Sequence, residues 1–294
     1  MKIFLTGGTG QVGFELQRSL ALFGAISAPN SQALDLSDPQ ATAEYITKLQ
    51  PDLIVNAAAW TAVDGAETEQ RAAFRLNAEL PRQLAEYAKK HNIWLIHYST
   101  DYVYPGNGST PWQEDSPTGP LSIYGSSKLA GDRAIEETKP NYLIFRTSWV
   151  YAARGKNFLN TMLKLGRERN KLSVVSDQLG APTPARLIAE VTALAIGNLQ
   201  ANLIPSGVYH LCSSGETNWH EFASEIFKYI IDSGLPLAIE PSQVDAITSE
   251  QYPAPANRPL NSRLSTEKLE RALGIELPHW KNQLILTLKE RELL

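Results

Sequence analysis

The chain has 294 residues, of which 43% are hydrophobic and 20% charged, with a net charge of −4. That content supports one sizeable domain with a smaller lobe, and the acidic balance excludes an electrostatic nucleic-acid binder, which needs a concentrated basic surface. The single cysteine, Cys212, excludes an intrachain disulfide or a cysteine-based metal cluster and reads as a small buried apolar side chain.

Met1-Lys2 passes directly into Ile3-Phe4-Leu5 with no signal-peptide layout. No apolar run approaches the roughly 20 residues of a membrane span, so the expectation is a cytoplasmic protein with no membrane partner. Ile3-Phe4-Leu5, Leu53-Ile54-Val55, Trp94-Leu95-Ile96 and Leu143-Ile144-Phe145 read as buried strands, with a poorer strand at 24–28. Helical patterns fall between them at 11–23, 39–49, 69–91 and 124–137. Such alternation predicts an α/β fold, a doubly wound parallel sheet of the Rossmann type that takes ligands beyond the C-terminal strand ends. Residues 1–150 are expected to form the dinucleotide-binding domain. Residues 151–294 form mainly a substrate-binding lobe, with some segments returning to the first domain.

The first strand runs into Thr6-Gly7-Gly8-Thr9-Gly10-Gln11-Val12-Gly13. Gly7, Gly10 and Gly13 give the spacing that permits a tight turn, close approach to a pyrophosphate and close helix-strand packing. The end of the second strand, Ala28-Pro29-Asn30-Ser31, offers neither an acid for a ribose hydroxyl nor an arginine for a 2′-phosphate, so NADH and NADPH are not separated. Asp35 and Leu36 follow and can either face an adenine or lie in a solvated loop. Asn56-Ala57-Ala58-Ala59 follows the third strand, where small side chains let a cofactor lie against the backbone or simply let a helix pack closely.

The fourth strand ends in Tyr98-Ser99-Thr100-Asp101, which places hydroxyl donors where a carbonyl can be polarised. A Pro/Gly/Ser-rich stretch at 105–121 is long enough to be a loop near a site. Tyr124 and Lys128 then stand four residues apart on a predicted helix, a phenol and an ammonium on one face. That pair suits general acid chemistry, and with the glycine loop and Thr100 it points to hydride transfer. Beyond Trp149 the pattern predicts helices at 157–170, 184–198, 219–233 and 266–273, strands at 172–175 and 208–211, and an extended docked segment at 246–262.

Thr100, Tyr124 and Lys128 are the set expected of an extended short-chain dehydrogenase/reductase. Gly-Gln-Val-Gly (10–13), Val-Asn-Ala-Ala-Ala (55–59), Thr-Ala-Val-Asp (61–64), Tyr-Ser-Thr-Asp-Tyr-Val (98–103) and Arg-Thr-Ser-Trp-Val-Tyr (146–151) resemble the dTDP-4-dehydrorhamnose reductase family more closely. So do Asp177-Gln178, Gly180-Ala181-Pro182-Thr183, Arg258-Pro259 and Asn261-Ser262. The resemblance implies an NADPH- or NADH-dependent reductase of a dTDP-4-keto-6-deoxysugar, last step of dTDP-rhamnose biosynthesis, with Thr100, Tyr124 and Lys128 catalytic. It implies that Lys128 lowers the Tyr124 pKa, which must fall from about 10 by roughly three units, about 4 kcal/mol, to work near neutrality. It assigns Gln11, Val12, Asp35, Leu36, Ala58, Ala59, Thr61, Tyr98 and Lys128 to the cofactor, and Thr100, Asp101 and Trp149 to the sugar. Arg258 can pair with the nucleotide diphosphate or form a surface salt bridge. Relatives that keep the fold as regulatory subunits, and reductases or epimerases of other nucleotide sugars, are the alternatives.

Some members of that family dimerise through magnesium held by carboxylates. Glu15 is present, but Arg186 stands where the second acid is expected, and a guanidinium cannot ligate magnesium. The expectation is therefore no metal, an Arg186 paired with Glu15 or Glu190, and a monomer or a weak metal-independent dimer.

Overall fold

The computed structural model describes residues 1–201 and 203–292. Five strands of the central sheet come from the first half of the chain: β1 (Lys2–Thr6), β2 (Ala25–Ser27), β3 (Leu53–Asn56), β4 (Trp94–Thr100) and β5 (Asn141–Thr147). A sixth, Gly207–His210, returns from the second half to pair with β5, giving the order sixth-β5-β4-β3-β1-β2, all parallel. The chain steps out from β1 to β2 and back past β1 to β3. This reversal opens a crevice above the ends of β1 and β3.

Both sheet faces are covered, which is why the strands are contiguous apolar runs. Ile3 and Leu5 face a core with Leu16, Ile188 and Val191, while Phe4 faces the opposite core with Ile54, Leu84 and Ile135. The helices Gln11–Ser19 and Ala185–Gln200 cover the first face, and Leu80–His91 and Ile123–Thr138 cover the second. A separate core gathers Tyr151, Leu159, Met162, Phe222, Phe227 and Trp280 from the second half. Cys212 is buried. Among the described residues no helix is long and apolar enough to cross a membrane.

Several expected elements are shorter or broken. The helix expected at 11–23 stops at Ser19 and a 3-10 turn, Ala21–Phe23, follows. The chain must then turn at Gly24, φ +147°, where a Cβ would stand 1.9 Å from the Met1 carbonyl oxygen. The helix expected at 69–91 contains a π turn at Arg75–Glu79. Pro81 cannot donate to the Asn77 carbonyl, so the ladder loosens there. Gly131 of the Ile123–Thr138 helix packs onto that carbonyl, 2.0 Å from where its Cβ would be.

The segment expected to be extended at 246–262 begins with the strand Val244–Ile247, parallel to Leu172–Val175, and a 3-10 turn at Ser249–Gln251. It then docks: Asn261 Nδ2 donates to Thr110 O at 2.8 Å, and Trp112 Nε1 donates to Asn261 O at 3.0 Å. The 105–121 loop is thereby tied down. The helix Trp280–Glu292 was not expected at all.

Candidate active site

A cavity of about 560 Å³ lies over the ends of β1, β3 and β4. Gly7, Gly10, Gln11, Val12, Asp35, Leu36, Ala57, Ala58, Ala59, Thr61, Tyr98, Tyr124 and Lys128 line it, each expected from the sequence. Gly7, at φ +68°, brings the loop so close to β3 that a Cβ would meet Ala57 O at 2.5 Å. Gly13 is the exception among the expected residues, because it lies beneath the cavity and serves packing: a Cβ there would be 2.1 Å from Gly7 O. Gly10 caps the first helix without a side-chain hydrogen bond, so the leading amides and the positive helix end are open to an anion.

Ser99, read from the sequence as a hydroxyl donor, lines the cavity too, and so do Thr9, Thr147 and Lys156, which were not singled out in the sequence. The hydroxyls of Ser99 and Thr147 are buried without protein partners. Unsatisfied polar groups there, with open amides at one end, fit a dinucleotide rather than an apolar ligand. At the far end Asp35 accepts from Ser37 N at 2.8 Å and from Ser37 Oγ at 2.7 Å. Those bonds hold its carboxyl below the usual range.

Ser122 caps the Ile123–Thr138 helix by accepting from Gly125 N at 3.2 Å, which places Tyr124 in its first turn and Lys128 in its second. Thr100 Oγ1 donates to Asp101 Oδ1 at 3.0 Å and hydrogen-bonds the Tyr124 phenol. Burial pushes Tyr124 up to about 12, against that hydrogen bond, with Asp101 and Asp132 adding to the rise. Burial brings Lys128 down to about 8, opposed by Asp132. The expectation that Lys128 lowers the Tyr124 pKa is not met. The Lys128 ammonium faces Tyr98 O at 2.5 Å and His97 Nε2 at 3.3 Å instead. A phenol held protonated in this way is suited to giving a proton.

A second cavity, about 810 Å³, is lined by Tyr102, Phe158, Gln178, Trp219 and Tyr252 together with Arg169, Lys171 and Arg258. Tyr102 packs edge-on against Tyr124, which lines the first cavity, with ring centroids 5.5 Å apart, so the walls of the two cavities touch through this ring pair. Arg258 Nη2 pairs with Asp64 Oδ2 at 2.9 Å in this cavity wall. Thr100 and Asp101 line neither cavity and are buried. Burial raises Asp101 to about 6.

Trp149, which the resemblance assigns to the sugar, lines neither cavity. It stacks on Trp219 at 3.8 Å and 14°, and Trp219 presents its ring to the cavity. Two features put it there: a left-handed backbone, φ +50°, costing about 1–2 kcal/mol, and Gly180, whose missing Cβ would stand 2.7 Å from the indole. Away from both cavities, Arg186 bridges Glu15 at 3.2 Å and Glu290 at 2.6 Å.

A doubly wound sheet, a glycine-built dinucleotide cradle, and a Tyr-x-x-x-Lys pair with a threonine at its edge define an oxidoreductase of the extended short-chain dehydrogenase/reductase class. The comparisons narrow the class. The chain matches the family described as the RmlD substrate binding domain over residues 1–293, and it belongs to the dTDP-4-dehydrorhamnose reductase family. It is 48% identical over 285 residues to the dTDP-4-dehydrorhamnose reductase of Salmonella typhimurium, covering 96% of this chain and 95% of that one. A solved dTDP-4-dehydrorhamnose reductase from Clostridium acetobutylicum superposes with a TM-score of 0.90 at 33% identity, covering 99% of this chain and 100% of that one. One from Bacillus anthracis, in complex with NADP, superposes at 0.87 and 32% identity, covering 98% and 99%.

Proposed function

We propose that this chain reduces the 4-keto group of dTDP-4-dehydro-L-rhamnose to dTDP-L-rhamnose with NADPH or NADH. The observation that carries this reading is the meeting of Tyr124, Thr100 and Lys128 where a dinucleotide cradle adjoins an aromatic, cation-bearing cavity. A bound nicotinamide supplies the hydride. Tyr124 gives its proton to the sugar oxygen as charge develops there. Thr100 turns its one hydroxyl hydrogen from Asp101 to that oxygen, and Lys128 holds the cofactor ribose. The rings of Tyr102, Phe158 and Trp219 suit a nucleobase, and Arg169, Lys171 and Arg258 suit a diphosphate.

Residues 1–150 in this reading bind the dinucleotide, and residues 151–294 mainly form the substrate lobe, with Ala185–Gln200 and Gly207–His210 returning to the sheet. Arg186 leaves no place for a magnesium beside Glu15, so the protein is a monomer or a weak metal-independent dimer. The test follows NADPH and NADH oxidation with a panel of nucleotide 4-ketosugars. Turnover concentrated on the dTDP-6-deoxy-L-lyxo sugar supports the reading. Oxidation that is equally fast with uridine or guanosine sugars, or absent throughout, overturns it.

A further inference from the structure

Under the cradle, Lys128 meets a buried polar chain that the proposed reaction does not use. Thr6, Asn56 and His97 are register partners across β1, β3 and β4, so their side chains share one sheet face. His97 Nε2 lies 3.3 Å from Lys128 Nζ, and His97 Nδ1 lies 3.0 Å from Asn56 Nδ2. Asn56 Oδ1 accepts from Thr6 Oγ1 at 2.6 Å, and Thr6 Oγ1 accepts from the Ala58 amide, in the cradle wall, at 3.2 Å. None of the four side chains is more than 2% exposed.

Burial, with the charge of Lys128, keeps His97 neutral by holding it well below the usual histidine range. A neutral ring has one hydrogen to place. With the Asn56 Nδ2 turned to His97, that hydrogen is on Nε2 and points at Lys128, which must then be an amine. With the amide turned over, Nδ1–H donates to Asn56 Oδ1, Nδ2 donates to Thr6 Oγ1, and Nε2 accepts from the ammonium. Both settings pair His97 and Asn56 with Lys128 in the matching charge state, the second at the cost of the Thr6 hydroxyl hydrogen, which loses Asn56 Oδ1 as its acceptor, and they differ by the one proton on Lys128.

We propose that His97 is a positioning residue whose tautomer, set together with the Asn56 amide, follows the charge of Lys128 and aims its ammonium at the cradle. This rests on the reading of Lys128 as the cation of the reaction. Two of the three ammonium hydrogens go to Tyr98 O and His97 Nε2, which leaves the third for a ligand in the cavity that Lys128 lines. Without His97 the ammonium turns about its single bond to Tyr98 O.

The other charged or titratable groups on the packed elements are engaged elsewhere. Asp132, on the same helix, pairs with Arg146 of β5 at 3.0 Å, though its charge still favours the Lys128 ammonium. Asp101, after β4, accepts from Thr100. Arg75 donates to Ser37 O, Asp64 pairs with Arg258, and Glu67 accepts from Ile123 N. Tyr124 is tied to Thr100.

The test is ¹⁵N NMR of the histidine rings in the whole protein, with His97 assigned by its loss in His97→Gln. From two pH units below to two above the Lys128 value of about 8, the ring is expected to pass from the Nδ1–H to the Nε2–H tautomer. In Lys128→Met it is expected to stay in one tautomer. A single tautomer throughout in the unmutated protein overturns the proposal, whether or not the enzyme turns over. In kinetics, His97→Phe should lower kcat about tenfold or more, as for a lost bond to a charged group, and move the alkaline limb to lower pH. His97→Gln, whose amide oxygen can accept from the ammonium, should recover most of both. Equal impairment and equal pH profiles in Phe and Gln variants also overturn it. Failure of the underlying reaction reading would look different: Lys128→Met would keep its turnover.

Discussion

Gly13→Ala and Gly10→Ala should separate the two jobs of the glycine loop. Helix propensity alone would stabilise an alanine at 13, inside the Gln11–Ser19 helix, by about 1 kcal/mol. The new Cβ, however, would stand 2.1 Å from Gly7 O, 2.7 Å from Gly7 C and 2.9 Å from Gly8 Cα. All three are backbone atoms, so no side chain can swing aside and the helix must lift from the loop. Overpacking of this kind costs about 3 kcal/mol at the upper end of its usual range, leaving a net loss of about 2 kcal/mol after the propensity gain. For a chain of this size that lowers Tm by roughly 4–8 °C. At Gly10 the only close atom is Gly7 O, at 3.2 Å, and the methyl group enters the cavity instead. Gly10→Ala should therefore melt near the parent temperature and lose NADPH affinity. Thermal melts with calorimetric titration of NADPH decide it. A Gly13→Ala protein that melts and binds like the parent, or a Gly10→Ala protein that loses stability instead of affinity, refutes the assignment.

Tyr124→Phe should lower turnover at least about a hundredfold while NADPH titration stays near normal; near-normal turnover moves the proton-donor role to another group. Asp101→Asn keeps an acceptor for Thr100 and removes a buried charge. Because burial raises the Asp101 pKa from 3.8 to about 6, ionisation costs the folded state stability, from the unfolded value upward and fully above the folded one. The variant should gain up to about 3 kcal/mol on the unmutated protein above that window, and the gain should vanish below it. An equal difference in Tm on both sides of the window contradicts this. Light scattering with and without EDTA should give one mass, since Arg186 occupies Glu15 and Glu290; a dimer that dissociates on chelation speaks against it.

The parallel sheet was legible because strands buried on both faces need unbroken apolar runs, as in Ile3-Phe4-Leu5 and Leu53-Ile54-Val55. The cradle was legible because close backbone approach leaves glycine no substitute at Gly7, and the Tyr124–Lys128 pair because helical spacing is fixed. The Thr6–Asn56–His97 chain was not, since it is created by strand register, which no local pattern in three separate strands specifies. Trp219 went unnoticed beside Trp149 for a similar reason: the two are stacked by tertiary packing across 70 positions of sequence. In the helix Trp280–Glu292, the buried Trp280, Leu284 and Leu288 are interrupted by exposed Ile285 and Leu286, which blurs the apolar stripe. The π turn at Arg75–Glu79 follows from Pro81, but only the presence of Gly131 against the freed carbonyl makes room for it.

Trp149 and Trp219 give the protein an optical gauge of its own. Two indoles 3.8 Å apart and nearly parallel share their electronic transitions, so their circular dichroism carries a coupled band that either ring alone lacks. One ring follows β5 of the sheet and the other opens the helix Trp219–Asp232 of the second core. The band's intensity therefore tracks the spacing between the two halves of the molecule, without a label and without a substrate. Any ligand that parts or tightens the halves would be recorded as a change in ellipticity, on the timescale of mixing.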